Sequence, residues 1–372
     1  MSWLRVLFLV SDGGWSPSAR AFLLAARGLD ARGHDVMIAC EPNCPMQIRA
    51  HAAQLAVVEM RAGASAVGDA WQLRGELRNR AVDVVFAHTD DELLVASSAL
   101  RLGRANGGVL VRRVPPFVVP PDTRRARMAT RLSSTSLMFS TEADRDLAVQ
   151  AKDPRALPAV APLGIDLAEY DAVHSDESVR IALGAGPDSL LIVCVHDGGD
   201  RDRAFAAMRA VALLAPRHPE LRLVILGAGR LDDLRMHGAA LGINAMVTYL
   251  GERDDELSIL RAADVGWIAA DGDAAALAAM DFMAFRTPVL AERSPLTEYF
   301  VADGIAGALL SSNEPGTMAA SVAAFLARKE ARIQMGNAGR ARLQREFPYS
   351  VMIRGYEQAM TAAVASHQPR RL

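Results

Sequence analysis

Between Leu221 and Val289 the chain alternates strand and helix three times, with a polar turn after each strand. LRLVILGAGRLDDL reads as strand, glycine turn and helix start. VTYLGERDDELSILRAADVGWIAA repeats the pattern around an acidic turn, and DGDAAALAAMDFMAFRTPVL adds an acid-bearing helix that stops before Pro288. Strands linked through helices pair in parallel, because each crossover returns the chain to the same end of the sheet. The polar turns therefore gather at one edge, where α/β proteins bind ligands in a crevice. This edge is expected to hold a nucleotide-type ligand.

At 372 residues the chain is long for one core and comfortable for two of about 150 to 200 residues each. Hydrophobic residues make up 51% and aromatics only 5%, which describes Ala, Val and Leu cores under helix-covered parallel sheets. The class is α/β. Formal charge is −2, and the cations are arginines apart from Lys152 and Lys329, so a nucleic-acid partner is not implied. Arg5 precedes an apolar run, as in a signal peptide, but Asp12, Gly13 and Gly14 end it early and no cleavage pattern follows. It reads as a buried first strand, and the expected location is cytoplasmic. No apolar stretch approaches about 18 residues, so no membrane span is expected. Cys40 and Cys44 lack the second pair of a zinc site, and with Cys194 they read as buried or free thiols.

The N-terminal half carries its own strand–helix units. LRVLFLV leads through SDGGWSPS to a helix from Ala19 to Arg32 and the strand DVMIAC. QLAVVEM, a helix near Ala70 to Arg80, VDVVFAH, a helix from Glu92 to Gly103, GGVLVRRV, SLMFS and a helix from Glu142 to Gln150 follow. The stretch from Pro115 to Asp122 reads as a loop inside this half. Pro158, Pro162 and Gly164 interrupt periodicity before SLLIVCVH opens a second set, which places domains at 1–168 and 169–347. After Ser311 only helices are expected: Thr317 to Lys329, Ala331 to Arg345, and Val351 to Ala365. The last belongs to a tail, 348–372, that would pack across the domain junction.

These residues carry a resemblance along nearly the whole chain. The early glycine turn with RGHDV, DVVFAH, STEADRDLA, the hinge PLGID, LVILGAGRLDDL, ELSILRAADV, DFMAFRTPVLA and the closing EFPYS resemble, in order and spacing, the family 4 retaining glycosyltransferases of GT-B fold. The resemblance implies two Rossmann-like domains facing an interdomain cleft, with a C-terminal helix crossing back to the N-terminal domain. It implies an acceptor held mainly by the first domain and a nucleoside-diphosphate sugar held by the second, as substrate, with no metal and no other cofactor.

In such enzymes two glutamates seven residues apart grip the donor, one at the sugar hydroxyls and one at the ribose. The matching positions are Asp273, assigned a catalytic role, and Asp281, assigned to the ribose. Each carboxylate still accepts hydroxyl donors, though Asp is shorter than Glu by about 1.5 Å. The family's diphosphate-binding Arg and Lys fall here on Asp197 and Asp202, and such a swap about 5 Å from a phosphate changes the energy by about 6 kcal/mol at an effective dielectric near 20. Replacement cations would come from Arg201, Arg203, Arg230 or Arg286, with Arg230 following Gly229 at a helix N-terminus that favours anions. Gly13, Gly14 and Gly229 complete the expected donor contacts. Further departures from the family pattern are Ala274, Ala275 and Ala276 in place of glycines, Pro295 in a loop that normally offers amides, and Arg112, Arg113 and Val114 where a histidine is common.

Three other features compete with bland readings. Asp271-Gly272-Asp273 looks like a metal-binding acid pair but sits in the wrong layout, and Gly227-Ala228-Gly229 lacks the third glycine of a dinucleotide fingerprint. His88, beside Asp90, Asp91 and Glu92, is a candidate catalytic base as well as a candidate capping residue. Arg124, Arg127 and Arg131 share a helical face, which suits an anionic membrane surface, and hence peripheral contact, or simply solvent. The expected function is transfer of a sugar to a glycan or lipid-linked acceptor; the alternatives are a GT-B protein that has lost activity and acts as a partner or scaffold, and a non-transferring sugar epimerase.

Overall fold

The computed structural model describes residues 3–60, 66–103, 108–120, 123–312 and 314–367. Pro121 and Asp122 of the proline-rich loop, and Gly107 ahead of the fifth strand, lie outside the described residues. The chain divides into two compact units, Met1–Gly164 with Tyr349–Leu372, and Ile165–Pro348.

Unit 1 holds seven strands: β1 (Arg5–Leu9), β2 (Asp35–Cys40), β3 (Ala56–Glu59), β4 (Val84–Ala87), β5 (Val109–Val114), β6 (Thr135–Phe139) and β7 (Ala156–Val160). They form one sheet in the order β3-β2-β1-β4-β5-β6-β7, with every pair parallel. Helices α1 (Pro17–Asp30), α2 (Pro45–Ala52), α3 (Ala66–Arg80), α4 (Asp90–Gly103), α5 (Arg124–Leu132) and α6 (Glu142–Gln150) connect them. Val6, Leu7, Phe8, Val84, Val85 and Phe86 are fully buried although neighbours in a strand face opposite sides, so both faces of the sheet are covered. Helix α1 starts two residues before the expected Ala19, because Ser16 caps it through the Ala19 amide at 3.1 Å and Pro17 suits its first turn.

ALPAV, which reads from sequence as a break in periodicity, is the strand β7. Pro158 is tolerated there because β7 is an edge strand and its missing N–H costs the sheet no internal bond.

Unit 2 begins with α7 (Leu167–Asp171) and α8 (Glu177–Ala182). Its strands are β8 (Leu190–His196), β9 (Leu221–Gly227), β10 (Val247–Leu250), β11 (Val265–Ala269), β12 (Val289–Glu292) and β13 (Gly307–Leu310). The helices between and after them are α9 (Arg201–Leu214), α10 (Leu231–Ala240), α11 (Glu256–Arg261), α12 (Gly272–Ala284), α13 (Pro295–Phe300), α14 (Pro315–Leu326) and α15 (Lys329–Glu346). The sheet order is β10-β9-β8-β11-β12-β13, again all parallel. A core of Ile192, Leu223, Ile225, Trp267 and Leu290 packs under α9 and α14.

The last helix, α16 (Tyr349–His367), belongs to unit 1. It lies close because Gly355 has no side chain: a Cβ there would meet Val160 O at 2.3 Å. Tyr356, fully buried, sets its ring 5.2 Å from Phe86 and 6.1 Å from Phe8, and Glu357 pairs with Arg32 of the α1 end. No helix among the described residues is long and apolar enough to cross a membrane.

Candidate active site

Both sheets reverse strand order once, between β1 and β4 in unit 1 and between β8 and β11 in unit 2. At such a point neighbouring connections leave toward opposite faces and open a crevice. In unit 2 the chain fills part of this opening with its own side chains. Asp197, just past β8, accepts the Gly199 amide at 2.9 Å through one oxygen and the Asp271 amide, just past β11, at 3.0 Å through the other. One carboxylate thus bridges the two loops where the resemblance places an arginine.

Asp202 is not turned to a basic role either. It stands in the first turn of α9, whose N-cap Asp200 accepts the Asp202 amide at 3.0 Å. The next residue, Arg203, reaches back under the loops: its guanidinium donates to Ala270 O at 2.7 Å and to Asp271 Oδ2 at 3.0 Å. Asp200 lies 3.6 Å and Glu292 4.0 Å from its Nε. Arg203, Asp202, Glu292, Ser294 and Trp267 line a cavity of ≈ 470 Å³ at this edge.

The other replacement cations have other partners. Arg201 pairs with Asp233 at 2.9 Å, with its side chain 63% exposed, and Arg230 is 85% exposed, 3.8 Å from the same carboxylate. Gly229 has a structural duty: at φ +121° it packs so near that a Cβ would meet Gly198 Cα at 3.1 Å and His196 Nε2 at 3.2 Å. Arg286 follows the C-terminus of α12, remote from the crevice edge, and holds φ at +58°. A glycine suits that conformation better, since a side chain there crowds the backbone.

Asp273 and Asp281 are not brought together. Ala274, Ala275 and Ala276 favour helix where a glycine loop would not, so α12 runs unbroken from Gly272. Eight residues of helix separate the two acids by about 12 Å along the axis. Asp273 is 5% exposed in the first turn, and Asp281 is 1% exposed in mid-helix. Asp281 accepts the hydroxyl of buried Tyr170 from α7, whose ring lies 5.2 Å from Phe285. Asp171 of the same short helix pairs with buried Arg340 at 2.7 Å, so α7 is fastened twice. The ribose role expected of Asp281 meets a carboxylate already engaged inside unit 2. Pro295 opens α13 behind a Ser294–Thr297 capping box, a helix start with no amide to offer at that residue.

In unit 1 the reversal is organised by Glu92, which is fully buried in the first turn of α4. It accepts the amides of Ser11 at 2.8 Å, His88 at 2.9 Å and Thr89 at 3.1 Å, and the His88 ring nitrogen lies 2.8 Å away. Burial alone would raise the Glu92 pKa, but the His88 ring and the amides of His88 and Ser11 outweigh it and hold the carboxyl below the usual range. His88 also meets Phe22 edge-on at 5.3 Å. It is therefore a held imidazole rather than a loose strand-end residue. Gly13 and Gly14 lie in the turn after β1, where Asp12 accepts the Gly14 amide at 3.1 Å. Arg112 is nine-tenths buried against Asp90 at 2.9 Å. All three cysteines are free and buried, and burial pushes the Cys194 thiol up to about 12. Among the described residues no three His, Cys, Asp or Glu side chains cluster as metal ligands would.

Sequence reasoning missed Tyr170, whose partner lies 111 positions away and leaves no local signal. It also missed Glu92 as the organiser of His88, although the spacing of four residues on one helical approach was visible.

Two all-parallel sheets, each reversing once, make two Rossmann-like units, the architecture of the GT-B fold. Residues 176–342 match the family described as Glycosyl transferases group 1. This part of unit 2 is thus similar to the group 1 glycosyl transferases, within a chain of GT-B fold. The chain is 29% identical over 249 residues to a D-inositol 3-phosphate glycosyltransferase of Mycolicibacterium vanbaalenii, covering 61% of this chain and 53% of that protein. It spans about half the length of the curated relatives it matches. Among solved structures, Anabaena HepE in complex with UDP and glucose superposes with a TM-score of 0.79 at 17% identity, over 96% of this chain and 100% of that one. Sucrose-phosphate synthase from Thermosynechococcus elongatus superposes with 0.74 at 15% identity, over 97% and 100%.

Proposed function

We propose that the chain transfers a sugar, with retention, from a nucleoside-diphosphate sugar to a glycan or lipid-linked acceptor. The observation that carries this reading is the family match over residues 176–342, which falls on the unit that holds the Arg203-lined cavity. The UDP and glucose in the HepE complex are the ligand class this reading extends to unit 2. The inactive-partner alternative gains no support from these relatives.

In this reading unit 2 holds the donor and unit 1 the acceptor. Asp273, in the first turn of α12, is the carboxylate nearest the role of sugar-hydroxyl acceptor, and His88, fixed by Glu92, is the base for the acceptor hydroxyl. The exposed arginines of α5, Arg124, Arg127 and Arg131, form the surface that would meet an anionic membrane carrying a lipid-linked acceptor. A ligand that binds only the folded chain at 100 times its Kd stabilises it by about 2.7 kcal/mol. A thermal-shift screen against UDP, GDP, ADP, TDP and their sugars should therefore raise Tm by several degrees with one base, and more with one of its sugars. A flat response to all of them removes the donor from the reading.

A further inference from the structure

Asp202, Ala206 and Arg209 follow one another at spacings of four and three, so they share one face of α9, the face that borders the cavity of ≈ 470 Å³. Met318 of α14 lines it too, and the buried Trp267 and Leu310 give it an apolar floor. The space stays open beside α9 because Ala206 ends at its Cβ. Asp197, Gly229 and Asp273, which follow β8, β9 and β11 around the strand reversal, do not line it. We propose that this cavity is a second ligand site of unit 2, for a hydroxylated phosphomonoester the size of a sugar phosphate, with Arg209 on the phosphate and Asp202 and Glu292 on the hydroxyls.

Three arginines line the cavity, and two of them are engaged. Arg203 donates to Ala270 O at 2.7 Å and to Asp271 at 3.0 Å. Arg293 pairs with Glu298 and Asp303, and its Nε donates to Ser311 Oγ at 3.3 Å. Arg209 is half-buried and has neither a hydrogen bond nor an ion pair among the described residues. Asp202, seven residues earlier and about 10 Å away along the helix axis, does not neutralise it.

The lining therefore has a free cation at one end and free acceptors at the other. The Asp202 carboxylate accepts no hydrogen bond among the described residues, and Glu292 comes only within 4.0 Å of Arg203 Nε. Carboxylates accept and do not donate, so these two take hydroxyl protons rather than a second anion. A phosphomonoester brings close to two negative charges and three acceptor oxygens near neutral pH, more than a carboxylate can offer the planar guanidinium. The volume lies in the range of small-molecule sites, about 300–1,000 Å³.

Isothermal titration with galactose 6-phosphate, galacturonate and galactose tests the site. The unaltered chain should bind galactose 6-phosphate most tightly, galacturonate less and galactose least. Arg209→Gln should weaken galactose 6-phosphate by about tenfold or more, the scale of a lost charged hydrogen bond, and leave nucleoside-diphosphate affinity unchanged. Ala206→Leu fills the cavity without removing a charge and should weaken the same ligand; where its Tm shows damage to the fold, Arg209→Gln alone decides. The site is overturned if galactose 6-phosphate does not bind at millimolar concentration, or binds the folded variants as it binds the unaltered chain. Equal affinity for galacturonate overturns the phosphate assignment. If Arg209→Gln loses nucleotide and sugar phosphate together, the cavity is part of the donor site and the inference falls while the donor reading stands.

Discussion

Single residues here carry duties that their neighbours in sequence do not announce. Asp281 is the clearest case: its place in the chain suggests a ribose partner, and its place in the fold is beneath Tyr170. Asp281→Ala leaves the Tyr170 hydroxyl buried without its acceptor and should cost about 1 to 3 kcal/mol of stability in chemical denaturation. The same variant should change nucleotide affinity little; a selective loss of affinity at full stability would restore the ribose role. Arg286 is the converse case, a side chain where the backbone wants none. Arg286→Gly should stabilise the chain by about 1 kcal/mol, because φ +58° is then free of crowding.

Glu92 ties a residue to pH. Its folded-state pKa is depressed, so the stabilisation it gives is present above the unfolded glutamate value and is lost as pH falls through the folded one. The unaltered chain should lose stability progressively below about pH 4.3, the ordinary glutamate value. Glu92→Gln should be less stable at pH 7 and flatter across that acid range, as read by Tm from pH 3 to 7. An unchanged acid slope would show that Glu92 is not the group responsible.

At the level of elements, the strands and most helices were legible because their periodicities are strong, and Ser16, Asp200 and Ser294 mark helix starts by chemistry visible in sequence. Others were not, the short helices α2, α7, α8 and α13 among them. ALPAV hides a strand because proline argues against strands in general and only edge position excuses it. Helix α12 was legible as an acid-bearing helix, and Ala274, Ala275 and Ala276, where the family carries glycines, continue it unbroken from Gly272. Ala275→Gly with Ala276→Gly should cost about 2 kcal/mol if that segment is helical, and almost nothing if it is a loop. Thermal denaturation of the double variant distinguishes the two.

Across the whole molecule, the two-sheet architecture could be read from alternating elements, since parallel pairing and crossover direction leave few topologies. The site was legible only in outline. The edge at which ligands gather follows from strand order, but which arginine faces it depends on helix phase and on Asp197 bridging two loops, and neither shows in spacing. The most direct measurement of the central claim is a crystal structure of the chain with the nucleoside diphosphate that stabilises it most. The account predicts density for the diphosphate at the carboxyl ends of β8 and β11. Density remote from that edge would contradict it.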